Sequence, residues 1–194
     1  MDRYPERIGV SAPPLRVPHL VPVPAPPILE TERLSLRAMS AADAAFILAL
    51  LNEPSFLRFI GDKGVRTIED AERYIEAGPM ASYERFGHGL LLVELRESGE
   101  PIGICGLLRR DTLSDVDLGF AFLPRYWSMG YARESASAVM RHGFETLGLP
   151  RIVAITDPDN VASANVLEAI GLRFERLVRL SPDAMELRLF AVDA

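Results

Sequence analysis

The chain has 194 residues, 48% hydrophobic and 25% charged, with 21 Lys and Arg against 27 Asp and Glu. That is enough for one sizeable domain, and a net charge of −6 lacks the basic excess of a nucleic-acid scaffold. The lone cysteine, Cys105, excludes an internal disulfide and fits a reducing, cytoplasmic setting, while the longest apolar run, Ala44 to Leu51, is too short to span a bilayer.

Eight of the 15 prolines fall in residues 1–27: Pro5, Pro13, Pro14, Pro18, Pro22, Pro24, Pro26 and Pro27. Locked φ and missing N–H groups disfavour helix and central strand there. Residues 1–27 therefore read as an extended arm and 28–194 as the domain. No basic segment followed by an apolar stretch marks a secretory signal. Val10, Leu15, Val17, Leu20, Val21 and Val23 sit between the prolines. The arm is either a plain leader or a strap across the domain or a second subunit, and the second reading predicts a homodimer.

Leu34, Leu36 and Ala38 alternate with polar residues, which predicts a strand. Ser40 with Asp43 predicts a helix start, Phe46, Ile47, Leu50 and Leu51 form its apolar face, and Pro54 stops it. Thr67 with Asp70 opens a second helix, interrupted at Gly78-Pro79 and continued by Tyr83 and Phe86. Leu90 to Leu95 and Ile102 to Leu108 flank a Glu97–Glu100 turn and predict an antiparallel hairpin. Val116, Leu118, Phe120 and Phe122 alternate as the next strand. Ala132 to Leu147 follows helical spacing and stops at Gly148 and Pro150. A short strand over Arg151 to Ile155, a helix from Ala162 to Ile170 and two strands, Leu172 to Leu180 and Met185 to Val192, complete an α/β domain with a mixed sheet.

The segment Leu118-Gly119-Phe120-Ala121-Phe122-Leu123-Pro124-Arg125-Tyr126-Trp127-Ser128-Met129-Gly130-Tyr131-Ala132 joins a strand end to a helix start. Helix starts leave about four backbone N–H groups unpartnered and carry partial positive charge, so they suit an anion such as a pyrophosphate. Gly130 and Ala132 allow close approach, and Arg125 and Arg133 flank the turn as phosphate partners.

Thirty residues after Gly130 stands a second motif, Asn160-Val161-Ala162-Ser163-Ala164-Asn165-Val166-Leu167-Glu168-Ala169-Ile170-Gly171. Together with Leu29-Glu30-Thr31-Glu32-Arg33-Leu34-x-Leu36-Arg37, these segments resemble the GNAT superfamily of acyl-CoA-dependent N-acetyltransferases. The nearest likeness is to its ribosomal-protein N-terminal acetyltransferase-like (RimJ/RimL-type) branch. The resemblance covers about residues 28–192 and implies a mostly antiparallel central sheet flanked by helices. It implies that the amides of Ser128, Met129, Gly130, Tyr131 and Ala132 hold the pyrophosphate of acetyl-CoA. Phe120, Phe122 and Leu123 would pair with the pantetheine arm, and the strand at Arg151 to Ile155 would splay away to open a slot for the thioester. Asn160 and Ser163 would lie beside the pantetheine and the departing sulfur. Two departures stand out: Trp127 occupies a position often held by Gln or Arg, and Leu167 replaces the tyrosine that serves many members as general acid.

The implied reaction moves acetyl from acetyl-CoA directly to an amine, either a protein N-terminus or a small molecule. It needs a base for the ammonium proton, an N–H donor for the developing oxyanion, and a fate for the thiolate. Asp117 and Glu94 are the candidate bases, an amide near Phe122 the donor, and Ser163 the proton source for sulfur. Cys105 reads as a buried apolar residue, and Trp127 as packing under the loop or touching the coenzyme. His19, His88 and His142 show no metal-ligand spacing, so no metal is expected. Neither nucleic acid nor membrane is expected as a partner. The reading from another class is a non-catalytic acyl-CoA-binding module. A third, a generic phosphate-binding domain, would show no preference for coenzyme A.

Overall fold

The computed structural model describes residues 28–194, so the expected arm of residues 1–27 lies outside the described residues. The strands are β1 (Leu29–Glu30), β2 (Leu34–Arg37), β3 (Leu90–Leu95), β4 (Pro101–Leu108), β5 (Val116–Phe122), β6 (Arg151–Thr156), β7 (Arg173–Val178) and β8 (Leu187–Asp193). The helices are α1 (Ala44–Leu51), α2 (Pro54–Phe59), α3 (Ile68–Ile75), α4 (Ala81–Phe86), α5 (Tyr131–Arg141) and α6 (Val161–Ala169). The strands form one eight-stranded sheet in the order β1-β2-β3-β4-β5-β6-β8-β7. All neighbours are antiparallel except β5 and β6.

Strand alternation sorts side chains to two faces. Leu36, Val93, Leu107 and Leu118 point to the face covered by α5 and α6, where they meet Val139 and Leu167. Leu92 and Ile104 point to the other face, where Ile47, Leu50 and Ile75 from α1 and α3 cover them. Full burial of each such side chain stabilises by about 1.5–3 kcal/mol. Edge strand β7 is exposed along most of its length.

The helix starts follow local chemistry. The Thr67 hydroxyl accepts from the Asp70 N–H at 3.1 Å, and the Asp70 carboxylate accepts from the Thr67 N–H at 3.0 Å. Such a cap stabilises by about 1 kcal/mol. The Ser40 and Asp43 box likewise forms, on a single 3-10 turn leading into α1.

Four elements differ from expectation. Pro54 ends α1 but also begins α2, because a missing N–H costs nothing at the first helical position. Gly78-Pro79 does not interrupt the second helix. Residues Glu76–Met80 form a π-helical turn between α3 and α4 that carries the chain past Pro79, which has no N–H to donate. A second π-helical turn, His142–Thr146, extends α5 toward Gly148. Strand β1 has two residues, too few for a periodic signal.

Candidate active site

Only the first two residues of β5 pair with β6: Val116 with Ile152 and Asp117 with Val153. Beyond Asp117 the strands part. On its other side β5 stays paired with β4 as far as Phe122, opposite Gly103. The Leu123 N–H donates to the Ile102 carbonyl at 3.0 Å. Rungs alternate along an antiparallel pair, so the backbone groups of Ala121 also face β4, and those of Phe120 and Phe122 face the gap. The Phe122 carbonyl accepts the Trp127 indole N–H at 2.8 Å, as that orientation requires. The N–H groups of Phe120 and Phe122 point into the gap where β6 has left.

The turn after β5 holds two residues in the left-handed region, Ser128 at φ 60° and Gly130 at φ 85°. Gly130 is the N-cap of α5 and offers no side chain to bond the first turn. The Glu134 N–H bonds the Gly130 carbonyl at 3.0 Å. The amides of Tyr131, Ala132 and Arg133 precede that first intrahelical bond, and with the helix dipole they make an anion cradle.

The cradle is braced from the turn between β1 and β2. The Glu134 carboxylate accepts from the Arg33 N–H at 2.9 Å, the Arg33 Nε at 2.7 Å and the Thr31 hydroxyl at 2.6 Å. Arg33 Nη1 then donates to the Met129 carbonyl at 3.0 Å, and the guanidinium lies 4.5 Å from the centre of the Tyr131 ring. Burial alone would raise the Glu134 pKa, but its hydrogen bonds from Thr31 and Arg33 outweigh burial and hold it low.

On the opposite side of the parted strands lies a cleft of about 510 Å³. Phe56 and Phe59 of α2, Tyr74 of α3, Met185 and Leu187 supply apolar wall. Asp117, Gly119, Phe120 and Ala121 form its floor, and Leu167 reaches it from α6. Asp117 is 1% exposed and accepts from Arg110 Nε, while its Oδ1 has no hydrogen-bond partner among the described residues. Burial pushes the Asp117 carboxyl up, against the pull of the Arg110 guanidinium and a weaker pull from the Ile155 amide.

The family of the acetyltransferase (GNAT) domain matches residues 33–173. The chain belongs to the GNAT acetyltransferase family. The uncharacterized N-acetyltransferase YoaA of Bacillus subtilis is 33% identical over 156 residues, covering 79% of this chain and 86% of YoaA. The crystal structure of an acetyltransferase from Agrobacterium tumefaciens is 29% identical, with a TM-score of 0.72, covering 98% of this chain and all of that one. RimL, a ribosomal alpha-N-protein acetyltransferase solved with coenzyme A, matches with a TM-score of 0.75 over 86% of this chain and 98% of its own. At 18% identity that is a likeness of fold.

The acetyltransferase uses acetyl-CoA, and its residues fit that group. The free edge at Phe120 and Phe122 presents backbone N–H groups to an amide-bearing chain, and the uncapped amides of α5 suit a pyrophosphate. Arg133 has no ion pair among the described residues, whereas Arg125 pairs with Glu100 at 3.1 Å. Leu123 is the exception on this strand: its N–H is taken by Ile102 and its side chain is buried with α1 and α3. The Asn160 side chain caps α6 by accepting from the Ser163 N–H at 3.1 Å, and the Ser163 hydroxyl makes no hydrogen bond among the described residues.

The two candidate bases are not brought together. Asp117 lines the cleft, whereas Glu94 does not. Glu94 Oε1 accepts from Arg37 Nη2 at 2.6 Å, and Arg37 also clasps Asp43 at 2.8 and 2.9 Å. That network joins β2, β3 and the start of α1. Trp127 is 46% exposed, so it ties the loop to β5 through its N–H rather than packing beneath it. Cys105 is fully buried, and burial pushes its thiol up to about 12, which suits an apolar role. Sequence reading left Arg33 and Arg110 without roles. Arg33 stood within a quoted motif, but its partner Glu134 is 101 residues away.

Proposed function

We propose that this acetyltransferase moves acetyl directly to a primary amine, and that it falls in the RimJ/RimL-type branch of its family. The observation that carries the reading is the parting of β5 and β6, which turns the Phe120 and Phe122 N–H groups toward a gap beside the apolar cleft that Asp117 lines. Asp117 takes the proton of the incoming ammonium, directly or through water; its raised pKa strengthens it as a base. The Phe122 N–H faces the thioester oxygen as negative charge collects there. As the C–S bond breaks, the Ser163 hydroxyl gives its proton to the departing sulfur and recovers one, through water, from the nitrogen that has formed the new C–N bond. The likeness to RimL in fold and the motifs at 127–132 and 160–171 support the branch assignment.

Thiol release from acetyl-CoA, measured with a panel of primary amines and peptides and checked by a 42 Da mass gain on the acceptor, tests the reading (42 Da, about one acetyl group replacing a proton). Coenzyme binding with no thiol release from any acceptor would favour a non-catalytic acyl-CoA-binding module. The homodimer read from the proline-rich arm is a separate proposal. Deleting residues 1–27 should then lower the mass seen by light scattering.

A further inference from the structure

The chain as a whole is acidic, but its acceptor cleft is not. Arg58, Lys63 and Arg110 line it, against two acids, Asp117 and Asp157. Asp157 is turned back on its own loop, accepting the Asp159 N–H at 2.7 Å. Arg58 and Lys63 have no ion pair among the described residues; Arg58 lies 4.9 Å from the centre of the Phe59 ring. Arg110 engages Asp117 only through Nε, and its two Nη groups make no hydrogen bond among the described residues. Partial desolvation at the cleft, and then the charge of Arg110, push the Lys63 ammonium below its ordinary value. Two like charges close enough to disturb each other, with Asp117 bonded to only one of them, are relieved by a second anion.

Resting on the acetyl-transfer reading, we propose that the acceptor is a small amine that also carries an acidic group, a carboxylate or phosphonate, held by Lys63 and the free fork of Arg110. Arg110 touches Asp117. An anion on its Nη groups therefore lies beside the carboxylate that draws the amine proton, which suits an acid and an amine carried on one small molecule. The fork matches a carboxylate through two parallel N–H bonds. Phe56, Phe59 and Tyr74 accommodate an apolar body. The same charge disfavours polycationic amines, which would bring further positive charge to Lys63.

Matched ligands test this. Binding of N-acetylphenylalanine and of its neutral amide to the coenzyme A-loaded protein is measured by calorimetry, and acetylation of phenylalanine and phenethylamine by thiol release. The acid should be favoured by about 10- to 100-fold, the range of a hydrogen-bonded charge pair. Lys63 is exposed, so its variants should fold. Lys63→Gln should remove about tenfold of the preference and leave the neutral ligand unchanged, and Lys63→Glu should reverse it. Equal affinities, binding of neither ligand, or a preference that survives Lys63→Glu would overturn the proposal. Preferred binding of the acid without acetylation of any amine would sink the transfer reading and leave only the acid-binding subsite of Lys63 and Arg110 standing. Acetylation of phenethylamine at the expense of phenylalanine would do the reverse.

Discussion

Glu134 holds Arg33 by both its backbone N–H and its guanidinium, across 101 residues of sequence. The arrangement fixes the turn before α5, the proposed coenzyme site, from outside it. Glu134 stands in the first turn of α5, and the Nη1 that remains on Arg33 secures the carbonyl of Met129, one residue before the N-cap. The cradle is therefore built by two segments, of which only one supplies the amides.

Glu134→Gln should weaken acetyl-CoA binding about tenfold while leaving turnover at saturating coenzyme within about twofold, since one charged partner of several hydrogen bonds is lost. A fall in turnover without a change in coenzyme affinity would reject the bracing role. The wild-type pair also has a pH signature. The Glu134 pKa is held below its ordinary 4.5, so its contribution to stability is complete above that value and is lost as pH falls through the lower folded-state value. Thermal melts from pH 7 to 3 should show a shallower acid decline in Glu134→Gln than in the wild type.

Gly130→Glu should cost more. A Cβ at this position would lie 3.2 Å from Arg33 Nη2, and a φ of 85° is strained for any L side chain. The strain is about 1–2 kcal/mol, and the added carboxylate faces the pyrophosphate. Calorimetry on the folded variant should show coenzyme affinity reduced by at least about tenfold. Unchanged affinity would move the site away from the turn.

If Asp117 is the base, kcat/KM should fall on the acid side through a pKa above the ordinary 3.8, because burial favours the protonated carboxyl. Asp117→Asn should flatten that limb. A profile that keeps its shape assigns the proton to water or another group.

Ser163→Ala should lower turnover by about 10²-fold if the hydroxyl protonates sulfur, with little change in coenzyme affinity. The Asn160 cap should survive, since it bonds the backbone N–H of residue 163 and not the hydroxyl. A loss confined to affinity would make Ser163 a coenzyme contact.

Much of this site is written locally. The alternation of Val116 to Phe122, the helical spacing after Gly130 and the short helix ended by Gly171 are short-range signals, and each element formed near its expected bounds. What stayed hidden depends on distance or parity. Glu94 and Asp117 look alike as strand carboxylates; only pairing across the sheet commits one to Arg37 and brings the other to the cleft. Leu123 looks continuous with Phe122, yet alternation turns its amide the other way. Pro79 signals a break, because a π-helical turn that accommodates it leaves no local mark.

The two-rung junction between β5 and β6 has a mechanical meaning. It divides the sheet into a five-stranded leaf, β1 to β5, and a three-stranded leaf, β6, β8 and β7, with a seam where two strands of seven and six residues share only two rungs. On the proposed reading, a chain of amides lying against Phe120 and Phe122 would fill that seam and supply the rungs the protein omits, so that coenzyme A would serve as a temporary strand as well as an acetyl donor. Amide hydrogen exchange should slow along β6 and β8 on loading, although their own hydrogen bonds do not change.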